Sequence, residues 1–232
     1  MNSNDTRVIA ATTGPGNAQS TAMPAGAKRV LRNTYYLLAM TLAFSAMVAA
    51  LSASLRLPHP GLLLTLGGYF GLLFLTSYLR NSVWALPAVF ALTGFMGYTL
   101  GPLIAAYLAL PSGAGIVATA MGTTAAIFVG LTWYASLSSA QDMSRFGSFL
   151  MVGILTAFGL GLAAYFFSMP ALSLSVSGMF ILLMSGLIMY QTQAIVRGGE
   201  DNYVMATVTL FVSIYNLFAS LLQILGVLGV EE

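Results

Sequence analysis

The sequence predicts an all-α integral membrane protein with seven transmembrane helices. Of its 232 residues, 58% are hydrophobic and only 6% are charged, and the mean hydropathy is +0.88. Soluble domains carry roughly 25% charged residues because a surface in water needs them. Eight basic and six acidic side chains could not coat a soluble globule of this size. Seven apolar runs, each close to the ~20 residues that a helix needs to cross a bilayer, point to membrane spans instead.

The apolar runs set the predicted helix boundaries, and short breaks rich in proline and glycine separate them. Because the connections are short, consecutive helices must run antiparallel, and residues 28–232 form one transmembrane domain. The predicted spans are 33–53, 62–79, 84–108, 114–136, 147–167, 171–190 and 204–229.

The basic residues predict how the protein sits in the membrane. With a cytoplasmic N-terminus, the cytoplasmic segments hold seven Lys and Arg residues and the outer segments hold only Arg56. Cytoplasmic loops of membrane proteins carry such an excess of positive charge. The sequence therefore predicts a cytoplasmic N-terminus and a periplasmic C-terminus.

Residues 1–27 differ from the rest of the chain. They are rich in Ala, Thr, Ser, Gly and Asn and have no apolar periodicity, which predicts a disordered cytoplasmic tail. The first apolar run begins too late and is too long for a cleaved signal peptide.

No constellation of residues predicts an enzyme, a metal site or a cofactor site. The chain has no cysteine, and its single histidine, His59, lies in a loop flanked by prolines. All six acidic residues fall in loops or termini, which argues against a buried carboxylate relay and an intramembrane aspartyl protease. The cations are scattered, so nucleic-acid binding is also excluded.

The last span carries five neutral polar residues at alternating steps of four and three, which places them on one helix face. A polar face cannot point to lipid, so this helix is expected to lie inside the bundle. Either interhelical hydrogen bonding or the lining of a polar cavity would explain the face, whose members are Thr209, Ser213, Asn216, Ser220 and Gln223.

Small residues recur every four positions in the third and fourth spans, a spacing that lets helix backbones approach closely. Pro102 follows one of them and is expected to kink the third span and free backbone carbonyls. The predicted packing residues are Gly97, Gly101, Ala118, Gly122, Ala126 and Gly130.

The loop before the last span contains signals for a helix end and a helix start. Gly198 and Gly199 suit a helix C-terminus. Asp201 or Asn202 can then cap the N-terminus of the last helix by accepting from its free N–H groups.

Several motifs together resemble the YccA branch of the Bax inhibitor family, the transmembrane Bax inhibitor motif proteins of bacteria. The likeness extends from about residue 28 to the end of the chain. The motifs are KRVLRNTY (28–35), LAFSA (42–46), LPHPG (57–61), TGFMGYTLGP (93–102), GGEDNY (198–203), YNLF (215–218) and LQILG (222–226).

The resemblance implies a seven-helix bundle with a central seventh helix, located in the bacterial inner membrane. YccA proteins are substrates and modulators of the membrane-anchored protease FtsH, which grips a cytoplasmic tail and pulls. The resemblance thus implies FtsH as a partner, with residues 1–27 as the handle. A chain that is easily gripped but hard to extract would occupy the protease and slow the turnover of its other clients.

Other members of the family are proposed to leak calcium, gated by two aspartates on the sixth and seventh helices. Carried over to this chain, those positions are Gln191 and Ser213. Neither side chain ionises, and carboxylate oxygens are the preferred ligands of calcium. An ion leak is therefore the weaker alternative function, and the sequence leaves the oligomeric state open.

Overall fold

The structure is a computed structural model, which describes residues 25–137 and 142–229. Within these ranges the chain forms seven α-helices, one short 3-10 helix and no strand. Each α-helix is long and apolar enough to cross a membrane, which confirms the predicted fold class. The α-helices are α1 Ala25–Ser54, α2 Leu62–Leu79, α3 Ala85–Leu108, α4 Gly113–Ala135, α5 Gly147–Phe166, α6 Pro170–Val196 and α7 Tyr203–Leu228, and the 3-10 turn Ser144–Phe146 precedes α5.

Two helices extend beyond the predicted spans. Helix α1 begins at Ala25, eight residues before the predicted start, and α6 ends at Val196, six residues after the predicted end. Hydropathy detects only the part of a helix that crosses hydrocarbon, whereas the hydrogen-bonded helix continues through the polar residues at its ends. Residues 25–27 of the predicted tail consequently belong to α1, and residues 1–24 lie outside the described part of the chain.

Helix α7 occupies the centre of the bundle. It packs against α1, α3, α4 and α6, while α2 and α5 lie at the periphery against α3 and α6 respectively. Leucines on several sides of α7 are fully buried, among them Leu210, Leu217 and Leu222. The apolar residues of α7 therefore pack mainly against other helices.

The antiparallel helices give the bundle two distinct ends. One end, called here the basic end, carries the start of α1 and the α2–α3, α4–α5 and α6–α7 loops, with every described Lys and Arg except Arg56. The opposite end carries the α1–α2, α3–α4 and α5–α6 loops and the end of α7. Here the hydroxyl of Tyr98 donates to the carbonyl of Pro58 at 2.9 Å, which ties the α1–α2 loop to α3.

Glycines bring α1 and α3 into close contact. A Cβ added at Gly97 would collide with the backbone carbonyl of Ser45, and one added at Gly101 would collide with the side chain of Ser52. Both glycines are buried. These two predicted packing residues therefore lie at a helix–helix interface.

The proline in α3 leaves one carbonyl without its helical partner, and α1 supplies a replacement. Pro102 has no N–H, so the carbonyl of Tyr98, four residues earlier, cannot make the usual helical hydrogen bond. The hydroxyl of Ser52 donates to this carbonyl at 3.1 Å. Helix α3 continues through Pro102 to Leu108, and the carbonyl freed by the proline has become a link between two helices.

Replacing Ser52 by alanine is expected to destabilise the bundle by about 1 kcal/mol, because the freed carbonyl then lacks a partner. Ser54→Ala is the matched control, since the Ser54 hydroxyl is exposed and donates only within its own helix, to Leu51. In a Pro102→Ala background the helical N–H that bonds the carbonyl of Tyr98 is restored. Ser52→Ala should therefore lower the stability by less in this background. Apparent unfolding midpoints in one detergent measure this double-mutant cycle. A Ser52→Ala effect that is the same in both backgrounds would contradict the assignment.

The small residues of α4 lie on the outer surface, which corrects their predicted role as packing residues within this chain. No described atom of another element lies within 4 Å of a Cβ built at Gly122 or Gly130. Ala118 and Ala126 are exposed as well. Helix α4 contacts α6 and α7 through its other side, where Ala120 is fully buried. Small side chains permit close approach of a neighbouring helix but do not require it.

Candidate functional site

The polar residues of α7 and the loop before it form the candidate site. They lie on the central helix and on the loop that joins it to α6 at the basic end. Their hydrogen bonds divide into a link near the opposite end, a group that bonds to its own helix, and a network at the basic end.

Gln223 joins α7 to α6. Its amide nitrogen donates to the hydroxyl of Ser173 at 2.6 Å, and the hydroxyl of Ser177 donates to its amide oxygen at 2.7 Å. Ser173 and Ser177 stand one turn apart on α6, so one amide engages both of them. Interhelical hydrogen bonding is therefore the observed role of this member of the polar face.

Two other members of the polar face bond to the backbone of their own helix. The hydroxyl of Ser213 donates to the carbonyl of Thr209 at 2.7 Å, and the amide of Asn216 donates to the carbonyl of Val212 at 2.8 Å. Ser220 is buried and Thr209 is half-buried. The polar face thus points toward the interior of the bundle. Its members lie on one side of α7, but they bond to different partners.

Gln191 lies near the end of α6 and is buried. Its amide nitrogen is 3.4 Å from a carboxylate oxygen of Glu200 in the α6–α7 loop. The other carboxylate oxygen of Glu200 accepts from the backbone N–H of Asn202 at 2.9 Å. Gln191 and Ser213 therefore engage different partners, a loop carboxylate and the α7 backbone.

Asn202 is the N-cap of α7. Its side-chain oxygen accepts from the N–H groups of Val204 at 3.0 Å and Met205 at 3.1 Å. Its amide nitrogen donates to the side chain of Asn81 at 2.9 Å and to the carbonyl of Arg80 at 3.3 Å. Of the two predicted caps, Asn202 performs this role, and Asp201 is exposed. The same side chain also joins the α6–α7 loop to the α2–α3 loop.

The glycines of the α6–α7 loop end α6 as predicted. Gly198 has φ +77°, a conformation that favours glycine because it lacks a Cβ. The N–H groups of Gly199 and Glu200 donate back to the carbonyl of Ala194 at 2.8 and 3.0 Å. This arrangement satisfies a carbonyl of the last helical turn and directs the chain toward Asn202.

The α4–α5 connection is anchored to the end of α6. The backbone N–H of Met143 donates to the side chain of Gln193 at 2.9 Å, and Asp142 forms an ion pair with Arg197 at 2.6 Å. Hydrogen bonds from Ser144, helped by the nearby Arg197 and Arg145, hold the pKa of Asp142 below its ordinary value. A lowered pKa means that this contact stabilises the fold at neutral pH and is lost as the pH falls through that lowered value.

Three further polar residues, which no pattern in the sequence predicts, contact neighbouring helices. The hydroxyl of Thr207 donates to the carbonyl of Tyr203 in its own helix at 2.7 Å and also lies 3.3 Å from the carbonyl of Thr34 in α1. Tyr215 pairs with Thr99 of α3 at 3.1 Å between hydroxyl oxygens. Thr207 and Tyr215 lie outside the polar stripe of α7. Ser52 carries no periodic signal at all, although Pro102 predicts that some donor must reach the carbonyl of Tyr98.

The described residues contain no group of three His, Cys, Asp or Glu that could hold a metal ion. His59 accepts a hydrogen bond from the N–H of Gly61 at 3.0 Å in the α1–α2 loop. The site thus offers amide and hydroxyl groups for hydrogen bonding, and at its edge the carboxylate of Glu200 bonds to Gln191 and Asn202.

Comparison with known proteins places this arrangement in a family. The family model described as Inhibitor of apoptosis-promoting Bax1 matches residues 27–229. The chain is 51% identical over 203 residues to an uncharacterised protein of Pseudomonas aeruginosa, a match that covers 88% of this chain and 91% of the relative. It is 37% identical over 202 residues to an uncharacterised membrane protein of Vibrio cholerae, a match that covers 87% of this chain and 90% of the relative.

A third relative has a named role. The chain is 48% identical over 198 residues to the Escherichia coli protein named Modulator of FtsH protease YccA, a match that covers 85% of this chain and 90% of the relative. The same identity and coverage hold for a protein of another E. coli strain that is named Inner membrane protein YccA. With seven membrane-spanning helices, a central α7 and a family match over nearly all described residues, this chain belongs to the Bax inhibitor family of membrane proteins.

Proposed function

We propose that this protein is a non-enzymatic modulator of the FtsH protease in a bacterial inner membrane. The observation that carries the proposal is the 48% identity, over 85% of the chain, to a protein named as a modulator of that protease. In this proposal the chain is a slowly degraded substrate. It occupies the protease and thereby lengthens the lifetime of other membrane clients.

The handle for the protease is the segment that precedes α1. Residues 1–24 come before the first helix, and they are rich in Ala, Thr, Ser, Gly and Asn, with few large apolar residues. We place this segment in the cytoplasm, because the described Lys and Arg residues other than Arg56 all belong to the basic end, where α1 begins. The excess of positive charge on cytoplasmic segments supports this orientation, and the C-terminus is then periplasmic.

Resistance to extraction comes from the interior contacts. A protease that pulls on α1 must separate it from α3, against which it packs through Gly97 and Gly101, and from α7. It must also break the bond between Ser52 and the carbonyl of Tyr98. Because α1 is the first element to be pulled, these contacts oppose extraction at its start.

The test uses cells that lack the native protein and express either the full chain or a variant without residues 2–24. The half-lives of the chain and of a membrane client of FtsH are followed in both. We expect the full chain to be degraded slowly and to lengthen the client half-life. The truncated chain should accumulate without protecting the client, because it lacks the handle.

A chain in which residues 2–24 are scrambled is the matched control, since it keeps the length and composition of the segment. It should behave as the full chain does if any flexible handle suffices. A client half-life that does not respond to the full chain would contradict modulation itself. A truncated chain that protects the client as well as the full chain would contradict only the role of the handle.

A further inference from the structure

A cavity of about 900 Å³ lies between α1 and α4, on the side of α7 away from its polar face. Its floor is formed by α7, mainly by Phe211, Ile214 and Phe218. At the end of the cavity nearer the basic end, α1 and α4 are joined, because the hydroxyl of Tyr35 reaches that of Thr132 at 3.4 Å. Beyond this contact the two helices leave the cavity between them.

Small side chains in the walls leave room for the cavity, which is also lined by larger apolar residues of α3 and α4. Helix α1 contributes four alanines, Ala46, Ala49, Ala50 and Ala53, and α4 contributes Ala125. Ala50 and Ala125 are exposed, so the cavity opens toward the membrane between α1 and α4. A molecule can enter it from the bilayer without passing through water.

The walls select an apolar occupant. The polar side chains among the lining residues are few, and several are already bonded within the protein. Thr124 donates to the carbonyl of Ala120 at 2.7 Å, Ser54 donates to that of Leu51, and the hydroxyl of Tyr215 pairs with Thr99. A polar solute would find few free hydrogen-bonding groups here and would leave its own polar groups unpaired. A hydrocarbon chain has no such groups, so it can enter without this cost.

The dimensions match one layer of acyl chains. Along α1 the lining runs from Leu42 to Ser54, which is about 18 Å at the ~1.5 Å rise per residue of an α-helix. Half of the ~30 Å hydrocarbon core of a bilayer is ~15 Å. A transmembrane helix is ~10–12 Å across with its side chains, so a space of this volume would hold less than two of its turns. The occupant is therefore thinner than a helix.

A positive charge stands at the mouth of the cavity. Arg56 lines it at the opposite end of the bundle, just beyond Ser54, and its side chain is exposed. Its backbone has φ +50°, a conformation unusual for a residue with a Cβ. The hydrogen bond from Tyr98 to Pro58 holds the loop that carries it. Arg56 thus stands at the end of the cavity where the headgroup of a lipid would lie if its acyl chain filled the cavity.

We propose that this cavity binds an anionic phospholipid of the bilayer, with an acyl chain between α1 and α4 and the phosphate at Arg56. The apolar walls, the length of one leaflet and the cation at the mouth each match one part of such a lipid. Planar guanidinium groups bind phosphate oxygens well because they present several donors in a fixed fork. The bound acyl chain would fill the space that the small alanine side chains leave between the helices.

The experiment measures lipid retained by the purified full chain, using native mass spectrometry after delipidation and addition of phosphatidylglycerol or phosphatidylcholine. Wild-type protein should retain one lipid and prefer phosphatidylglycerol. Ala125→Phe should retain no lipid, because the phenyl ring would occupy the cavity. Ala126→Phe is the matched control, because Ala126 is exposed on the same helix but does not line the cavity. Ala50→Phe and the exposed, non-lining Ala43→Phe form a second pair on α1.

The headgroup is tested separately. Arg56→Gln should reduce the preference for phosphatidylglycerol about fivefold, which corresponds to the ~1 kcal/mol of one cation near a membrane surface. Arg29→Gln, an exposed cation at the basic end, should leave the preference unchanged. The proposal is overturned if wild-type protein retains no lipid, if both members of each phenylalanine pair behave alike, or if the two arginine variants lose the preference equally.

Discussion

Replacing Gly97 by alanine is expected to destabilise the bundle by about 1–3 kcal/mol, the range seen when a methyl group is forced into a well-packed interior. A Cβ at this position would collide with the backbone carbonyl of Ser45 in α1. A backbone atom within a helix cannot move aside unless the whole helix shifts. Helices α1 and α3 would therefore have to separate along their shared interface.

Gly122→Ala is the matched control for this prediction. Gly122 was also predicted to pack against a helix, yet no described atom of another element lies within 4 Å of its Cβ position. Alanine has the higher helix propensity, by about 1 kcal/mol in exposed helices, so this variant should be as stable as the wild type or slightly more so. Unfolding midpoints followed by circular dichroism in one detergent would compare the two. Equal midpoints would contradict the close contact assigned to Gly97.

Asn202→Ala is expected to cost about 1–2 kcal/mol, within the range for loss of an N-cap, and to loosen the basic end of the bundle. Two N–H groups of α7 lose their acceptor, and the α2–α3 loop loses its donor to Asn81 and Arg80. Hydrogen exchange should increase at the start of α7 and in the α2–α3 loop together. This coupling distinguishes Asn202 from a cap that acts only on its own helix.

Two further variants separate the functions of Asn202. Asp201→Ala removes the neighbouring exposed carboxylate and should change exchange in neither region. Asn202→Asp keeps an acceptor for the α7 N–H groups but removes the amide donor, so only the α2–α3 loop should exchange faster. The assignment would be wrong if Asp201→Ala loosened the start of α7 as much as Asn202→Ala does.

A good part of the candidate site could be predicted because local rules govern it. The change of direction at Gly198 and the cap before α7 follow from the backbone freedom of glycine and the acceptor geometry of a short polar side chain, both encoded within a few residues. The choice between Asp201 and Asn202 was open, since either carries a capping oxygen. It was decided by the α2–α3 loop, because only the amide of Asn202 can donate to Asn81 as well.

The role of Gln191 shows where local rules stop. Gln191 occupies a position that is acidic in related proteins, and from the sequence alone it follows only that its side chain does not ionise. Its contact with Glu200 depends on how the α6–α7 loop folds back over the end of α6. Likewise, the periodicity of α7 places Ser213, Asn216 and Gln223 on one face, but of these three side chains only Gln223 bonds to serines on a neighbouring helix in the described part of the chain.

The sequence by itself determined that the chain has seven membrane-spanning helices, where most of them lie and that α7 turns a polar face inward. Hydropathy and helical period are properties of consecutive residues, so they can be read without knowing any neighbour. Only the tertiary structure decided which glycines touch another helix and where the cavity lies. Gly97 and Gly122 look alike in sequence, but one faces Ser45 and the other faces outward. A small side chain allows an approach, and the packing of the remaining helices determines whether one occurs.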